Sequence, residues 1–239
     1  MIITGDIHGD LKFKHLSDYA NSLGSSENSP QYLIIAGDFG GLWQPGDLSI
    51  IDACGCFPFT TLFVDGNHEN FDLLNSYPVT IWNGGKVHQL TNKVIHLMRG
   101  QVFELDGKTV FTFGGAASTD KQKRTPSLNW WPEELASEKE LAEAEYNLRT
   151  HGNQVDYIIT HCGYINAVQE LHRKLNCDKL RICTQSYLLS KLLRDVSFSA
   201  WFCGHYHLDA TFGKYEFLYN RFLDPEAEYG QQNLTGRIA

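Results

Sequence analysis

Five short blocks of the sequence place a glycine beside Asp, Asn or His side chains. Carboxylate oxygens, amide oxygens and imidazole nitrogens together form the ligand set that divalent transition metals use in proteins. A site built from these blocks would therefore bind metal ions, and their ordered recurrence is a more specific signal than any single block. The blocks are Gly5-Asp6-Ile7-His8, Gly37-Asp38, Gly66-Asn67-His68-Glu69, His161-Cys162-Gly163 and Gly204-His205-Tyr206-His207.

The spacing inside the first and last blocks indicates how ligands converge. In an extended segment, side chains at positions i and i+2 point to the same face. Asp6 and His8 are therefore expected to face one ion, and His205 and His207 are expected to form a second pair. The glycines of these blocks permit positive φ angles and a close backbone approach to a bound anion.

The order of the blocks resembles the pattern of the calcineurin-like metallophosphoesterase superfamily. That pattern runs Asp-x-His, Gly-Asp, Gly-Asn-His-Asp/Glu, His and Gly-His-x-His, and its counterparts here span residues 5 to 207. The resemblance implies an α/β fold of four layers, α/β/β/α, in which helices flank a central β-sandwich. It also implies a single domain over residues 1–239 and a hydrolase that cleaves phosphate esters.

The resemblance further implies two metal ions with separate ligand sets. Asp6, His8 and His207 are expected to bind the first ion, whereas Asn67, His161 and His205 are expected to bind the second. Asp38 is expected to bridge both ions, because each of its two carboxylate oxygens can bind a cation. Mixed nitrogen and oxygen ligands suit manganese, iron, cobalt or zinc, and Mn(II) is the default expectation.

Water is the nucleophile that such a centre implies. Two ions about 3.5 to 4 Å apart can hold a hydroxide between them, clamp phosphoryl oxygens and steady the leaving oxygen. Asp38 is then catalytic as the bridge, and His68 is expected to donate a proton to the departing alkoxide or to stabilise its charge. Asn67 and His68 are also candidates for contact with the substrate phosphate.

One segment departs from the pattern of the protein phosphatases in this superfamily. Those enzymes carry an Asp and an Arg shortly after the Gly-Asp block, where this chain has Gly40-Gly41-Leu42-Trp43. The departure removes the Arg expected to hold a phosphomonoester and the Asp expected to orient His68. Glu69 or a backbone carbonyl is the expected replacement for the Asp, and Arg124 in the basic loop 116–132 is the best candidate for phosphate contact.

The elements that must position these blocks follow from hydrophobic patterning. Short β-rich apolar runs end in the glycine-bearing loops, which is typical of α/β chains, and ligand sites of α/β sheets lie at the carboxyl ends of strands. Asp106-Gly107 predicts a tight hairpin turn in an antiparallel middle section. The predicted helices cover 11–23 and 133–150, and the predicted strands are 1–3, 32–36, 60–64, 87–90, 94–97, 102–105, 109–113, 157–160 and 198–203.

Composition narrows the function classes. The 239 residues include 20 Lys and Arg against 28 Asp and Glu, a formal net charge of -8 that disfavours broad capture of nucleic acid. The first apolar run leads directly into Gly5-Asp6 without a secretory signal, and no apolar run could cross a bilayer, so a soluble cytoplasmic enzyme without a membrane partner is expected. The six cysteines are expected to be free thiols.

Three functions remain open at this stage. The first is a phosphomonoesterase acting on small or protein substrates. The second is a phosphodiesterase or nuclease, for which nucleic acid is the substrate, Trp130 and Trp131 stack bases and the basic loop holds phosphate. The two tryptophans are otherwise expected in the core or at a lid hinge. The third is a scaffold without catalysis, against which the complete ligand set and His68 argue.

Replacing Asp38 by Ala tests the bridging role. Because Asp38 supplies the carboxylate expected between the two half-sites, the Asp38→Ala variant should lose bound metal and phosphoesterase activity together. Metal analysis of the purified variant checks the expectation. Two ions per chain in that variant would show that Asp38 is not the bridge.

Overall fold

The computed structural model describes residues 1–24, 29–175 and 182–230. The helices in these residues are α1 (Asp10–Leu23), α2 (Ser49–Gly55), α3 (Phe71–Leu74), α4 (Glu138–Thr150), α5 (Ile165–Leu175), α6 (Thr184–Leu192) and α7 (Pro225–Tyr229). The strands are β1 (Ile2–Thr4), β2 (Tyr32–Ile35), β3 (Thr60–Phe63), β4 (Val79–Trp82), β5 (Gly85–Gln89), β6 (Val94–Leu97), β7 (Gln101–Leu105), β8 (Lys108–Phe113), β9 (Tyr157–Thr160), β10 (Ala200–Cys203), β11 (Ala210–Phe212) and β12 (Tyr215–Phe217).

Within the described residues the strands form two six-stranded sheets. The first has the order β1-β2-β3-β6-β5-β4, and the second has the order β11-β12-β10-β9-β8-β7. In the first sheet β1, β2, β3 and β6 are parallel neighbours, and in the second β8, β9, β10 and β12 are. Because parallel neighbours end at a common edge, the loops that follow them gather at that edge.

The two sheets pack face to face on a shared apolar core. Ile34 and Leu62 come from the first sheet, and Phe103, Tyr157 and Phe202 come from the second. Each of these side chains is at most 2% exposed. Burial of this much aromatic and aliphatic surface supplies the main hydrophobic stabilisation of the sandwich.

Helices cover the outer face of each sheet. Leu16 of α1 packs in the cluster that contains Leu33 of β2. On the other side, Leu148 of α4 and Leu189 of α6 pack in the cluster that contains Trp201 of β10. The order of layers is therefore helix, sheet, sheet, helix, and the predicted α/β/β/α fold is confirmed.

The structure differs from the predicted elements in the middle of the chain. The helix expected to begin at residue 133 begins at Glu138, because Ser137 and Glu140 form a capping box at that point. Residues Pro132–Glu134 form a separate 3₁₀ turn. Strand β4, whose side chains are mostly exposed at the edge of the first sheet, was not predicted.

Two further observations concern the class of protein. None of the helices in the described parts of the chain has both the length and the apolar character needed to cross a membrane. Cys177 lies outside the described residues. The cysteines within them are free thiols, as predicted: Cys54, Cys56, Cys162, Cys183 and Cys203.

Candidate metal centre

The predicted ligands lie where the loops of the two sheets meet, an edge we call the seam. Asp6 follows β1, Asp38 follows β2 and Asn67 follows β3 in the first sheet. From the second sheet, His161 follows β9, and His205 precedes His207 after β10. Residues up to 199 positions apart in the chain are therefore neighbours in space.

The first half of the seam holds Asp6, His8, Asp38 and His207. Each offers one ligand atom within 4.8 Å of the others. The Nε2 atom of His207 lies 3.0 Å from Asp6 Oδ2 and 2.9 Å from His8 Nε2. His8 Nε2 lies 3.7 Å from Asp6 Oδ2 and also 3.7 Å from Asp38 Oδ2. These carboxylate and imidazole atoms fit the ligand set of a divalent transition metal.

The second half holds Asn67, His161 and His205, with Asp38 between the halves. His161 Nε2 lies 3.3 Å from Asn67 Oδ1 and 3.4 Å from Asp38 Oδ1. The ring of His205 lies 5.0 Å from that of His161, and burial lowers the pKa of His205 to about 4, so this ring is neutral and offers a lone pair. The two oxygens of Asp38 thus face the two halves, which is the geometry that a bridging carboxylate requires.

Hydrogen bonds from the backbone fix the direction of these groups. The Nδ1 atom of His161 donates to the Ala36 carbonyl at 2.9 Å, which leaves its Nε2 free to face the seam. The backbone N–H of His205 donates to Asp6 Oδ1 at 2.9 Å, and the backbone N–H of His68 donates to Asp38 Oδ1 at 2.7 Å. Each carboxylate is therefore oriented before any ion binds.

Two glycines of the predicted blocks allow this close packing. A Cβ atom at Gly66 would lie 2.0 Å from Asp38 Oδ1, and one at Gly204 would lie 2.1 Å from Asp6 Oδ1. Any side chain at either position would push a carboxylate out of the seam. The sequence predicts a close approach of the glycine backbone to a bound anion. At Gly66 and Gly204 the groups approached are the carboxylates of Asp38 and Asp6.

The backbone of the ligand blocks is not extended. His8, Asp38, His205 and His207 have φ values of 54°, 48°, 69° and 52°. The extended spacing expected for Asp6 with His8 and for His205 with His207 is therefore wrong, and left-handed turns bring the side chains together instead. Non-glycine residues in this region cost on the order of 1 to 3 kcal/mol each, and such strain is typical of functional sites.

Buried charges at the seam stabilise one another. Burial disfavours ionised Asp6, but its contacts with His207 and His8 and the charge of His161 hold the pKa of Asp6 below its usual range. Against the same effect of burial, His161 lowers the pKa of Asp38. Burial also lowers the pKa of His161, yet Asp38 and Asp6 outweigh it and raise that pKa to about 10. His161 of the metal-free protein therefore carries a proton that a cation must displace.

Arg124 reaches the seam from the loop 116–132. Its Nη2 atom lies 3.2 Å from His68 Nε2, and its Nε atom donates to Asp120 Oδ1 at 2.7 Å. A guanidinium group can only donate, so His68 Nε2 accepts and the ring proton lies on Nδ1. Burial lowers the pKa of His68, with a further contribution from Arg124, and this keeps the ring neutral. Arg124 and His68, two of the three predicted substrate contacts, therefore lie side by side.

Glu69 has a different role from the one expected. Its carboxylate accepts hydrogen bonds from the backbone N–H groups of Phe39 at 2.8 Å and Gly40 at 3.2 Å. These two residues follow Asp38 directly. Glu69 therefore holds the segment that follows Asp38 rather than orienting His68.

A groove of about 1190 Å³ opens from the centre. His8, His68 and His207 line it where it meets the seam, and Leu11 and Trp43 are among the apolar residues farther along it. The groove is large enough for an organic group attached to a phosphate held at the seam.

The two consecutive tryptophans serve the packing of the loop. Trp131 is 3% exposed and its Nε1 donates to Asp72 Oδ2 at 2.8 Å, so it belongs to the core. The Lys121 ammonium lies 4.0 Å from the centroid of the Trp130 ring and covers that face. The geometry favours packing over the base-stacking alternative.

Sequence patterns did not reveal several residues that support the centre. Tyr219 stacks on the His207 ring at 4.8 Å, and Lys12 lies 3.7 Å from the Tyr219 ring centroid. Ser118 contacts Asn67 directly. Glu134 contacts Ser118 and so reaches Asn67 indirectly. None of these residues belongs to a glycine-bearing block, so their types and spacing carry no signal.

The model of the family described as calcineurin-like phosphoesterase matches residues 1–209, and the chain belongs to this family. A comparison with curated proteins finds no match.

Solved structures give a more distant likeness. The chain is similar to a proposed 5'-nucleotidase from Staphylococcus aureus, crystallised in complex with alpha-ketoglutarate, at 14% identity and a TM-score of 0.43. The match covers 91% of this chain and 47% of the other, so the chain spans about half the length of that protein.

Binding of metal should release protons from the centre. Because the pKa of His161 is about 10 in the metal-free protein, protons compete with the ion, and affinity for the second ion should rise by about tenfold per pH unit between pH 6 and 8. Titration calorimetry of Mn(II) in buffers of different ionisation enthalpy measures the released protons.

Two variants test the origin of those protons. His161→Asn should release about one proton fewer than the unmodified chain, whereas the exposed His151→Asn should match it. Binding whose affinity is the same at pH 6 and pH 8 would contradict the assignment.

Proposed function

We propose that this protein hydrolyses phosphate esters with two divalent metal ions, Mn(II) by default, held at the seam. The observation that carries the proposal is the position of Asp38, whose Oδ1 faces His161 at 3.4 Å and whose Oδ2 faces His8 at 3.7 Å. The donor set fits such ions in its chemistry, its burial and its preset orientation. When bound, the two ions supply Lewis-acid activation of water and neutralise charge on the phosphoryl group.

Arg124 and His68 are the proposed substrate contacts of this chain. The guanidinium of Arg124 lies beside His68 and can donate two parallel hydrogen bonds to phosphoryl oxygens when its Nη groups exchange their present partners for the substrate. Once Arg124 donates to a phosphate, His68 Nε2 loses its present donor at 3.2 Å. His68 Nε2 can then take up a proton from solvent and donate it to the leaving alkoxide, which leaves as the neutral alcohol. Arg124 thereby replaces the Arg that the segment after Asp38 lacks.

The groove favours a monoester of a small organic alcohol over an extended nucleic acid. Successive phosphates along a strand need free cations along the groove. Among the described residues that line it, the cation is Lys12, and its Nζ already donates to the carbonyls of Asp6 and Tyr219. Asp10 and Asp47 add negative charge to the lining. A phosphodiesterase or nuclease is the second candidate and has less support.

Two broader expectations enter the proposal. Residues 1–239 are proposed to form a single domain, which the core shared by both sheets supports. A cytoplasmic location is proposed because the described cysteines are free thiols, as is usual in reducing compartments.

A comparison of two chromogenic substrates tests the function. With Mn(II) added, p-nitrophenyl phosphate should be hydrolysed faster than bis(p-nitrophenyl) phosphate, and a chelator should abolish both rates until Mn(II) is restored. Preference for the diester would favour the second candidate. A metal-loaded protein that cleaves neither ester would support a scaffold without catalysis.

Replacing His68 tests its role separately from metal binding. His68→Asn should retain both ions and lower turnover by a factor of about 10² or more, because general acid catalysis is lost. The exposed His151→Asn is the matched control and should keep full activity. Equal rates of His68→Asn and the unmodified chain on both esters would remove His68 from the mechanism.

A further inference from the structure

A buried carboxylate lies directly behind the second half of the centre. Glu134, in the 3₁₀ turn Pro132–Glu134, is 3% exposed. Its Oε1 accepts from the Ser118 backbone N–H at 2.9 Å, and its Oε2 accepts from the Ser118 hydroxyl at 2.7 Å. Glu134 therefore has both oxygens committed to one residue.

The direction of these bonds determines how Ser118 meets Asn67. A hydroxyl has one proton to donate, and Ser118 donates it to Glu134. Toward Asn67 the hydroxyl can therefore only accept, and it does so from Asn67 Nδ2 at 3.3 Å. The amide carbonyl of Asn67 then points the other way, with Oδ1 lying 3.3 Å from His161 Nε2.

The orientation of this amide matters because its two ends are alike in shape and opposite in chemistry. The carbonyl oxygen can bind a cation, whereas the NH₂ group has no lone pair to offer. An Asn67 amide turned by 180° would direct its NH₂ group at the ion. Ser118 is the neighbour on the Nδ2 side that distinguishes the two orientations.

We propose that Glu134 is a positioning residue that acts through Ser118 to hold the Asn67 carbonyl toward the second metal ion. The inference rests on the proposed dinuclear centre. Ser118 and Glu134 also join the two ends of the segment that carries Arg124. The contact that orients Asn67 thus also fixes the loop that delivers Arg124 to His68.

Glu134→Gln is the first test, because it keeps the shape of the side chain. The new amide NH₂ can donate to the Ser118 hydroxyl, which then directs its proton toward Asn67 and favours the reversed amide. Affinity for the second Mn(II) ion should fall by about 10- to 100-fold, while affinity for the first ion is unchanged. The EPR signal of free Mn(II) during titration measures both.

Glu133→Gln is the matched control. Glu133 is the neighbouring residue and is exposed, and its substitution changes the charge of the chain by the same amount. This variant should bind both ions with unchanged affinity. Ser118→Ala should lower the affinity for the second ion as Glu134→Gln does. Ser118→Thr keeps the hydroxyl and should bind the second ion with the affinity of the unmodified chain. Melting of the metal-free variants checks that the fold is retained.

A double-mutant cycle separates orientation from packing. In an Asn67→Asp background both terminal atoms are oxygens, so there is no orientation to select, and adding Glu134→Gln should not weaken binding of the second ion further. A loss that persists in that background would overturn the proposal, as would unchanged two-ion binding by Glu134→Gln alone.

The metal readout keeps this proposal distinct from the proposed function. Normal two-ion binding by Glu134→Gln in an active hydrolase would overturn only the role of Glu134. An unmodified chain that binds no second ion would overturn the dinuclear centre itself, and the positioning role with it.

Discussion

The seam depends on two carboxylates that have no access to water. Asp6 is 0% exposed and Asp38 is 1% exposed, and leaving ionised groups without solvent is costly unless opposite charge lies close by. In the metal-free chain the protonated ring of His161 provides part of that charge. Divalent ions would supply more positive charge. The imidazole and amide side chains around the two carboxylates could serve as ligands of those ions. The two buried carboxylates therefore require positive charge at this edge of the sheets.

Four of the seven candidate ligands are held in place by a second group. The Ala36 carbonyl fixes His161, backbone N–H groups fix Asp6 and Asp38, and Ser118 fixes Asn67. Side chains held in this way need little rearrangement when a charged substrate arrives, which is how preorganised sites lower a barrier. The net charge of -8 is thus compatible with an anionic substrate, because divalent ions bound at the seam would concentrate positive charge at one point.

Much of the fold and the centre could be predicted because each block follows a strand of a parallel section. Parallel strands end together, so Asp6, Asp38 and Asn67 had to be neighbours once their strands paired. The left-handed backbone at His8 and His205 could not be predicted, since the spacing of two residues is equally compatible with an extended segment. Patterning located the ligands but not the turns that aim them.

The supporting residues were beyond prediction for another reason. Ser118 lies 51 residues from Asn67 and 16 from Glu134, and no periodic pattern connects such positions. Arg124 was selected by charge alone, and its place beside His68 depends on how the loop folds. The edge strand β4 was missed because a run of four residues gives little periodic signal, and in the structure its Val79 and Ile81 lie exposed at the sheet edge.

Because the ligands come from both sheets, any ion bound at the seam is also a cross-link between them. Ligand that binds only the folded chain adds stability in proportion to the logarithm of its concentration, about 2.7 kcal/mol at a hundred times the dissociation constant. Resistance to heat and to proteases would then vary with the supply of free cation. A cell short of the cation that binds at the seam would hold less of this protein as well as a less active form of it.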